Sequence, residues 1–202
     1  MKTTLCLLAT FWLTPSCFAQ LGVSFLGGYA CKEQFPVTPA VVRISDGFTY
    51  GAGVEIMILG VYGFELSYQR QEAEFTVSDD SGSETDRGAI DLVLLAGYRL
   101  HALTDVVTLY GGLAFGSAVL SNHERDMSAY RFAWGGRAGV RYRLSDTVGF
   151  KLQLQLIAIP HAGDASAWPI SGAPAAPSEG YAYALQFGMA TGVCFSLFQN
   201  RE

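Results

Sequence analysis

The sequence predicts an all-β fold, a membrane-spanning antiparallel up-and-down β-barrel of eight strands. Residues 181–197, YAYALQFGMATGVCFSL, alternate large and small side chains, as an extended strand with two different faces does. The small face is mostly uncharged, so we expect the bulky face to meet lipid and the small face to line a narrow lumen. The chain is 50% hydrophobic, yet its longest apolar stretch beyond the N-terminal segment, residues 106–120, contains three glycines. Without a spanning helix, only a closed barrel satisfies every backbone group in lipid.

The connections between the predicted strands support the same fold. They alternate between long (residues 30–47, 78–88, 120–129 and 160–180) and short (residues 59–61, 100–105 and 143–147). Long extracellular loops and short periplasmic turns alternate in this way in bacterial outer-membrane barrels. The pattern therefore predicts an even number of strands, with both chain termini on the periplasmic side.

The N-terminal segment, residues 1–19, is predicted to be a signal peptide. Lys2 precedes an apolar stretch, Pro15 interrupts it, and Ala19 offers a small residue for cleavage. A transmembrane helix is disfavoured because it needs about 20 apolar residues, and lipidation at Cys17 is a weaker alternative. We expect the barrel domain to comprise residues 20–202. With Lys2 removed, the 13 basic residues become 12 against 18 acidic ones, a net charge of −6 that argues against nucleic-acid binding.

The first four strands are predicted at residues 21–29, 48–58, 62–71 and 89–99. The first two carry aromatic and branched residues on one parity. The third directs Phe64 and Leu66 toward lipid and Glu65 inward, and its apolar parity changes beyond Gln71. That change predicts a bulge or a strand end above the membrane. In the fourth segment, the residues expected to face lipid are Ile90, Leu92, Leu94, Ala96 and Tyr98.

The last four strands are predicted at residues 107–119, 130–142, 148–159 and 181–197. The fifth places Leu113 and Phe115 outward and Tyr110 inward. The sixth alternates most cleanly, with outward aromatic residues such as Trp134 and an inward set that includes Arg137. Tyrosines near both ends of the strands predict two aromatic girdles at the membrane interfaces.

The inward charges predict an ionic network, because eight strands enclose a space that side chains just fill. Glu55 and Glu65 both lie five residues from position 60, so they should face each other beside the first short turn. Long basic side chains from the opposite wall can reach these carboxylates. The predicted lumen network comprises Glu55, Glu65, Asp91, Arg137, Arg141 and Lys151. We interpret it as a plug; a gate that opens a narrow ion path is the alternative, and catalysis in a filled lumen is disfavoured.

The remaining motifs predict no catalytic, cofactor or metal site. The three histidines form no His-x-x-x-His pair, and no phosphate-binding glycine loop is found. Cys31 and Cys194 are expected to be free thiols, because about 20 Å separates them along the closing strands and a disulfide needs Cα atoms within about 7 Å. Residues 78–86 form an acidic loop that we expect to be solvated, with loose cation binding as an alternative. Trp168 marks an apolar contact surface in the last long loop, or packs on the barrel rim.

The chain resembles the small eight-stranded outer-membrane β-barrel superfamily, which includes the outer-membrane protein A transmembrane domain, protein X and protein W types. The resemblance covers residues 20–198. It rests on the eight-segment layout, on Gly53-Val54-Glu55 before a short turn, on the GFELSY strand of residues 63–68, and on a C-terminal strand ending in aromatic residues.

The resemblance implies a location in the bacterial outer membrane, contact with its lipid, and insertion by the barrel-assembly machinery. We expect a monomer that acts as a structural or surface-interaction protein and contacts host or surface ligands through its loops. The alternative is a narrow channel for small hydrophobic molecules or ions. A lipid-modifying enzyme is a distant third, because no closely spaced His and Ser lie on a lipid-facing strand.

Overall fold

The computed structural model describes residues 19–37, 40–79, 82–124, 126–162 and 181–197. These residues form one antiparallel sheet. Its strands are β1 (Ala19–Ala30), β2 (Glu33–Val37), β3 (Ala40–Ile44), β4 (Gly47–Ile58), β5 (Tyr62–Asp79), β6 (Gly82–Ala102), β7 (Val107–Asn122), β8 (Met127–Arg143), β9 (Val148–Ala162) and β10 (Tyr181–Ser196). No helix in these residues has the length and apolarity that crossing a membrane requires. The loop around Trp168 and the predicted signal peptide, apart from its last residue Ala19, lie outside the described residues.

The sheet closes into a ring of eight strands, which confirms the predicted fold. β1 pairs with β4 on one side and with β10 on the other, and the remaining ring strands pair with their neighbours along the chain. Val23 is the ladder partner of both Val54 and Phe195, so it marks the closing seam. Closure leaves no sheet edge within the ring, as a wall in lipid requires.

The bulky side chains face outward on most of the wall, as the alternation predicts. Leu113 is 66% exposed, Phe132 58% and Leu185 54%, whereas Ala114 and Ala184 on the inner face are at most 1% exposed. Small inward side chains let the strands enclose a narrow interior, and the apolar outer surface matches lipid.

The orientation predicted for residues 89–99 is wrong. The inner face of β6 carries the five residues that we expected to face lipid: Ile90, Leu92, Leu94, Ala96 and Tyr98, each at most 5% exposed. Val93 and Leu95 face outward instead, at 41% and 42% exposure. The register explains the inversion, because Leu95 pairs with the outward Leu66 and ladder partners share a face. With apolar residues on both parities, the segment alone did not identify its lipid-facing side.

The predicted bulge after Gln71 is also absent from β5. Every residue from Tyr62 to Asp79 pairs one-to-one with β6, and the burial keeps its period of two. The apolar residues beyond Gln71, which include Phe75 and Val77, point into the barrel and are at most 6% exposed. Above the lipid the outer face meets water, so the apolar side chains change faces while the strand continues regularly.

The first and second long connections are largely strand rather than loop. Residues 30–47 contain the β2–β3 hairpin, and β3 pairs with the upper part of β5 from Ile44↔Phe75 to Val41↔Ser78. Because β1 ends at Ala30 and β4 begins at Gly47, the hairpin takes their place in the upper wall. In the second connection, β5 and β6 pair as far as Asp79↔Gly82. Together, β2, β3, residues 72–79 of β5 and residues 82–89 of β6 form a wall segment that we term the surface projection.

Candidate functional site

Five charged side chains meet in the half of the lumen that is nearer the short turns. Glu55 and Glu65 are ladder partners across β4 and β5, and Arg141 and Lys151 are partners across β8 and β9. Arg137 lies four residues before Arg141, so both occupy the inward parity of β8. We term these five residues the ionic layer.

The ionic layer is built from two buried acid–base groups. Arg141 Nη2 donates a hydrogen bond to Glu55 Oε2 in one ion pair, and Lys151 Nζ donates to Glu65 Oε2 in the other. Arg137 Nη1 lies 3.7 Å from Glu65 Oε1 and donates a 2.9 Å hydrogen bond to Ser67 Oγ. Glu55, Glu65, Arg137 and Lys151 are each at most 3% exposed. Such pairs cross the lumen and hold opposite walls together.

Two tyrosines complete the environment of Lys151. Its Nζ lies 5.8 Å from the Tyr98 ring centroid and 5.1 Å from that of Tyr110, within the range of a cation–π interaction. The two rings are 5.2 Å apart. Tyr110 was expected to face inward, whereas Tyr98 was assigned to lipid because the orientation of β6 was misjudged.

A layer of glutamines lies above the ionic layer. Gln155 Nε2 donates to Gln69 Oε1 at 2.8 Å, and Gln186 Nε2 donates to Gln71 Oε1. Gln153 Nε2 donates to Gln155 Oε1 at 3.3 Å. All five are at most 8% exposed, so this glutamine layer spans the lumen between β5, β9 and β10. The sequence signalled it through glutamines at inward positions of otherwise apolar strands.

The upper lumen is filled by hydrophobic side chains. The largest are at most 2% exposed: Ile44, Phe75, Ile90, Leu120, Ile157 and Ile159. They belong to five different strands and form one packed cluster. We term it the apolar plug. Its side chains offer no hydrogen bonds to an ion.

Asp91 does not belong to the ionic layer, which corrects the prediction. It lies on the outer face of β6, where its carboxylate accepts a 2.5 Å hydrogen bond from Tyr68 Oη. Arg70 Nη1 donates to both of its carboxylate oxygens, at 3.1 and 3.2 Å. Arg70 Nε also donates to Glu72 Oε1 at 2.8 Å. The cause is again the orientation of β6, because Asp91 shares its parity with the outward Val93.

A cavity of about 370 Å³ opens at the end of the barrel that carries the short turns. Glu55 and Arg141 line it together with Gly22, Gly149 and Cys194. Short turns of outer-membrane barrels face the periplasm, so we term this cavity the periplasmic vestibule. The ionic layer thus forms its inner boundary.

The two thiols lie at different heights on the closing seam. Cys194 pairs with Ser24, whereas Cys31 follows Ala30, the partner of Gly188. Both cysteines are free in the structure. In the described part of the chain, no group of three or more His, Cys, Asp or Glu side chains could hold a metal ion.

Glu33 occupies the junction between the surface projection and β10. Its Oε1 accepts a hydrogen bond from the backbone N–H of Leu185, and its Oε2 is buried without a hydrogen-bond partner. Burial raises the pKa of the Glu33 carboxyl to about 8, because the charged form loses hydration. Burial thus favours the neutral acid in the folded protein.

Comparison with known proteins agrees with this architecture. A family model described as outer membrane protein beta-barrel domain matches residues 18–171. The crystal structure of Neisserial surface protein A is similar, with 12% identity and a TM-score of 0.62 over 89% of this chain and 99% of that one. The outer membrane protein OprG from Pseudomonas aeruginosa has 12% identity and a TM-score of 0.53 over 90% and 98% of the two chains. At this identity the two structures bear on the fold alone. No curated protein matches the sequence.

Proposed function

This chain belongs to the outer membrane protein β-barrel domain family, and from that premise we propose that it is a closed barrel that presents the surface projection to protein ligands outside the cell. Family and fold place it in the bacterial outer membrane. The observation that carries the proposal is the contrast between a filled interior and an extended outer wall.

The filled interior argues for a role outside the lumen. The apolar plug and the glutamine layer lie in series above the ionic layer, and their side chains are almost completely buried. Moving an ion through this interior requires displacing packed apolar side chains and breaking the hydrogen bonds between glutamines. A barrel built in this way is suited to holding its ends in place rather than to transport.

The extended wall supplies the surface for a ligand. β5 has 18 residues and β6 has 21, whereas a tilted spanning strand needs about 9–11. Val42 and Phe75 are fully buried behind the projection, in the same hydrophobic cluster as the rest of the apolar plug, so the projection is packed against the barrel. Its outer face carries hydroxyl pairs such as Thr76–Thr85, with 3.0 Å between the oxygens. A preformed surface loses little entropy when it binds a partner.

The proposal is tested by removing the β5–β6 part of the surface projection, with which β3 pairs. Because Glu74 pairs with Arg87, replacing residues 74–87 by Asn-Gly closes the hairpin at Ala73 and Gly88. The control replaces only residues 79–82 by Asn-Gly, which shortens the tip beyond Ser78 and Ser83. Cells that display each variant are exposed to a panel of soluble host glycoproteins. We expect the intact and control proteins to bind and the truncated one not to bind; equal binding by all three contradicts the proposal.

A narrow ion conduit is the second candidate, because the periplasmic vestibule leads to polar and charged side chains. Planar bilayer recordings separate the two functions. A closed barrel gives no steady conductance, and Glu55→Gln or Glu65→Gln leaves permeability unchanged. Steady channels in the wild-type protein would defeat the plug interpretation.

A further inference from the structure

The charges of the ionic layer do not balance. Arg137, Arg141 and Lys151 supply three positive charges, and Glu55 and Glu65 supply two negative ones. The other Asp, Glu, Lys and Arg residues described at this end, Arg99, Asp105, Arg143 and Asp146, are exposed, so water screens them. One positive charge is therefore left over in the ionic layer. Burying a charge without a counter-charge is strongly unfavourable.

Hydrogen bonding shows the same excess of donors. The buried atoms without a hydrogen-bond partner include Arg137 Nε, Arg137 Nη2 and Arg141 Nε. The free acceptors of the ionic layer are one oxygen each of Glu55 and Glu65. Arg137 is only 3% exposed, and of its nitrogens only Nη1 donates a hydrogen bond, to Ser67 Oγ. A guanidinium cannot lose its proton or accept a hydrogen bond, so these donors call for an external acceptor.

A small anion meets both requirements, and water meets only one. A water molecule accepts hydrogen bonds but brings no charge, whereas a halide accepts several and cancels the surplus charge. The size of the ligand is limited, because eight strands leave little space between filled walls. The route is the periplasmic vestibule, whose lining includes Arg141.

We propose that the ionic layer binds a small monovalent inorganic anion of the chloride class, held by the free N–H groups of Arg137 and Arg141 and reached through the periplasmic vestibule. An anion that enters from the periplasmic vestibule reaches the site without passing through the apolar plug. The site therefore stands whether the barrel is closed or conducting, and independently of any ligand of the surface projection.

Chloride binding to the folded full-length barrel in detergent tests the proposal directly. The ³⁵Cl NMR linewidth is followed as bromide is added, and thermal unfolding is compared in chloride and gluconate at equal ionic strength. We expect bromide to narrow the ³⁵Cl line by displacing chloride, and chloride to raise the midpoint temperature above that in gluconate. Equal midpoints, or a linewidth that bromide does not change, would mean that only water occupies the layer.

Two variants must shift the affinity in opposite directions. Arg137→Gln removes the surplus charge and the free donors of Arg137, and we expect chloride affinity to fall by about tenfold or more. Glu55→Gln leaves a second surplus charge and should tighten binding. Structural damage alone would weaken binding in both variants. Arg43→Gln, an exposed change of the same charge, is the control and should bind as the wild type does.

The folded state of each variant is verified by its heat-modifiable mobility on gels. If Arg137→Gln does not fold, Glu55→Gln still decides: tighter chloride binding supports the site, and unchanged or weaker binding overturns it. Wild-type affinity in Arg137→Gln would likewise overturn it.

Discussion

Glu65 is the carboxylate on which the stability of the lumen depends most strongly. It is 1% exposed, binds Lys151, and lies 3.7 Å from Arg137. Glu65→Gln keeps the shape of the side chain but leaves both cations without this counter-charge. Removing one partner of a buried ion pair costs about 3–5 kcal/mol. We expect a loss of that size in the free energy of unfolding, compared with about 2 kcal/mol or less for Glu55→Gln, because the Arg141 side chain is 14% exposed and can rehydrate in the vestibule.

The assay is reversible urea unfolding in lipid vesicles, followed by tryptophan fluorescence in gluconate buffer so that no halide compensates the charge. The double variant Glu65→Gln/Lys151→Met removes a charge from each side. It should be more stable than Glu65→Gln alone, because an unpaired buried charge costs more than an absent pair. A Glu65→Gln loss no larger than that of Glu55→Gln, or no recovery in the double variant, would refute the reasoning.

Three further predictions concern the wall and its two ends. Gly112→Ala places a Cβ 2.0 Å from the Gly97 carbonyl oxygen and should cost about 1–3 kcal/mol in urea unfolding, whereas Gly97→Ala, whose nearest contact is 3.6 Å, should be tolerated. The pKa of Glu33 is about 8 in the folded protein and 4.5 ordinarily, so between pH 4.5 and pH 8 the folded state binds a proton that the unfolded state has lost. Wild-type stability should therefore fall as pH rises from 4.5 to 8, and Glu33→Gln should remove that component; identical pH profiles would contradict it. A membrane-impermeant maleimide should label Cys31 on intact cells and leave Cys194 unlabelled. Cys31→Ser is the control. If this variant is labelled on intact cells, Cys194 faces the outside, which would contradict the orientation of the barrel in the membrane.

The sequence was sufficient to predict the strands in which one parity is bulky and apolar and the other is small or polar. β8 and β10 are of this kind, and the residues expected to face outward, such as Trp134 and Met189, do so. The β2–β3 hairpin was not predicted, because its strands have five residues each and depend on β5 as a partner. Long-range pairing of this type leaves no local period to detect.

The errors in β6 and upper β5 have one physical cause. An alternating pattern shows that a strand has two faces, but the environment decides which face takes the apolar side chains. In lipid the outer face takes them, and above lipid the inner face does, as Phe75 shows. β6 crosses both regions, and its inner face is apolar from Ile90 to Leu100, so its pattern suggested the wrong side.

The ladder register resolves what the pattern of a single strand leaves open. Once β5 is oriented by Glu65, pairing fixes Ala96 as inward and Leu95 as outward. The same constraint excludes Asp91 from the lumen, because it pairs with the outward Arg70. The charge balance of the interior follows from this exclusion. With Asp91 inside, the six predicted charges would cancel; with Asp91 outside, one positive charge remains in the ionic layer, and no described residue of that layer supplies the missing negative charge.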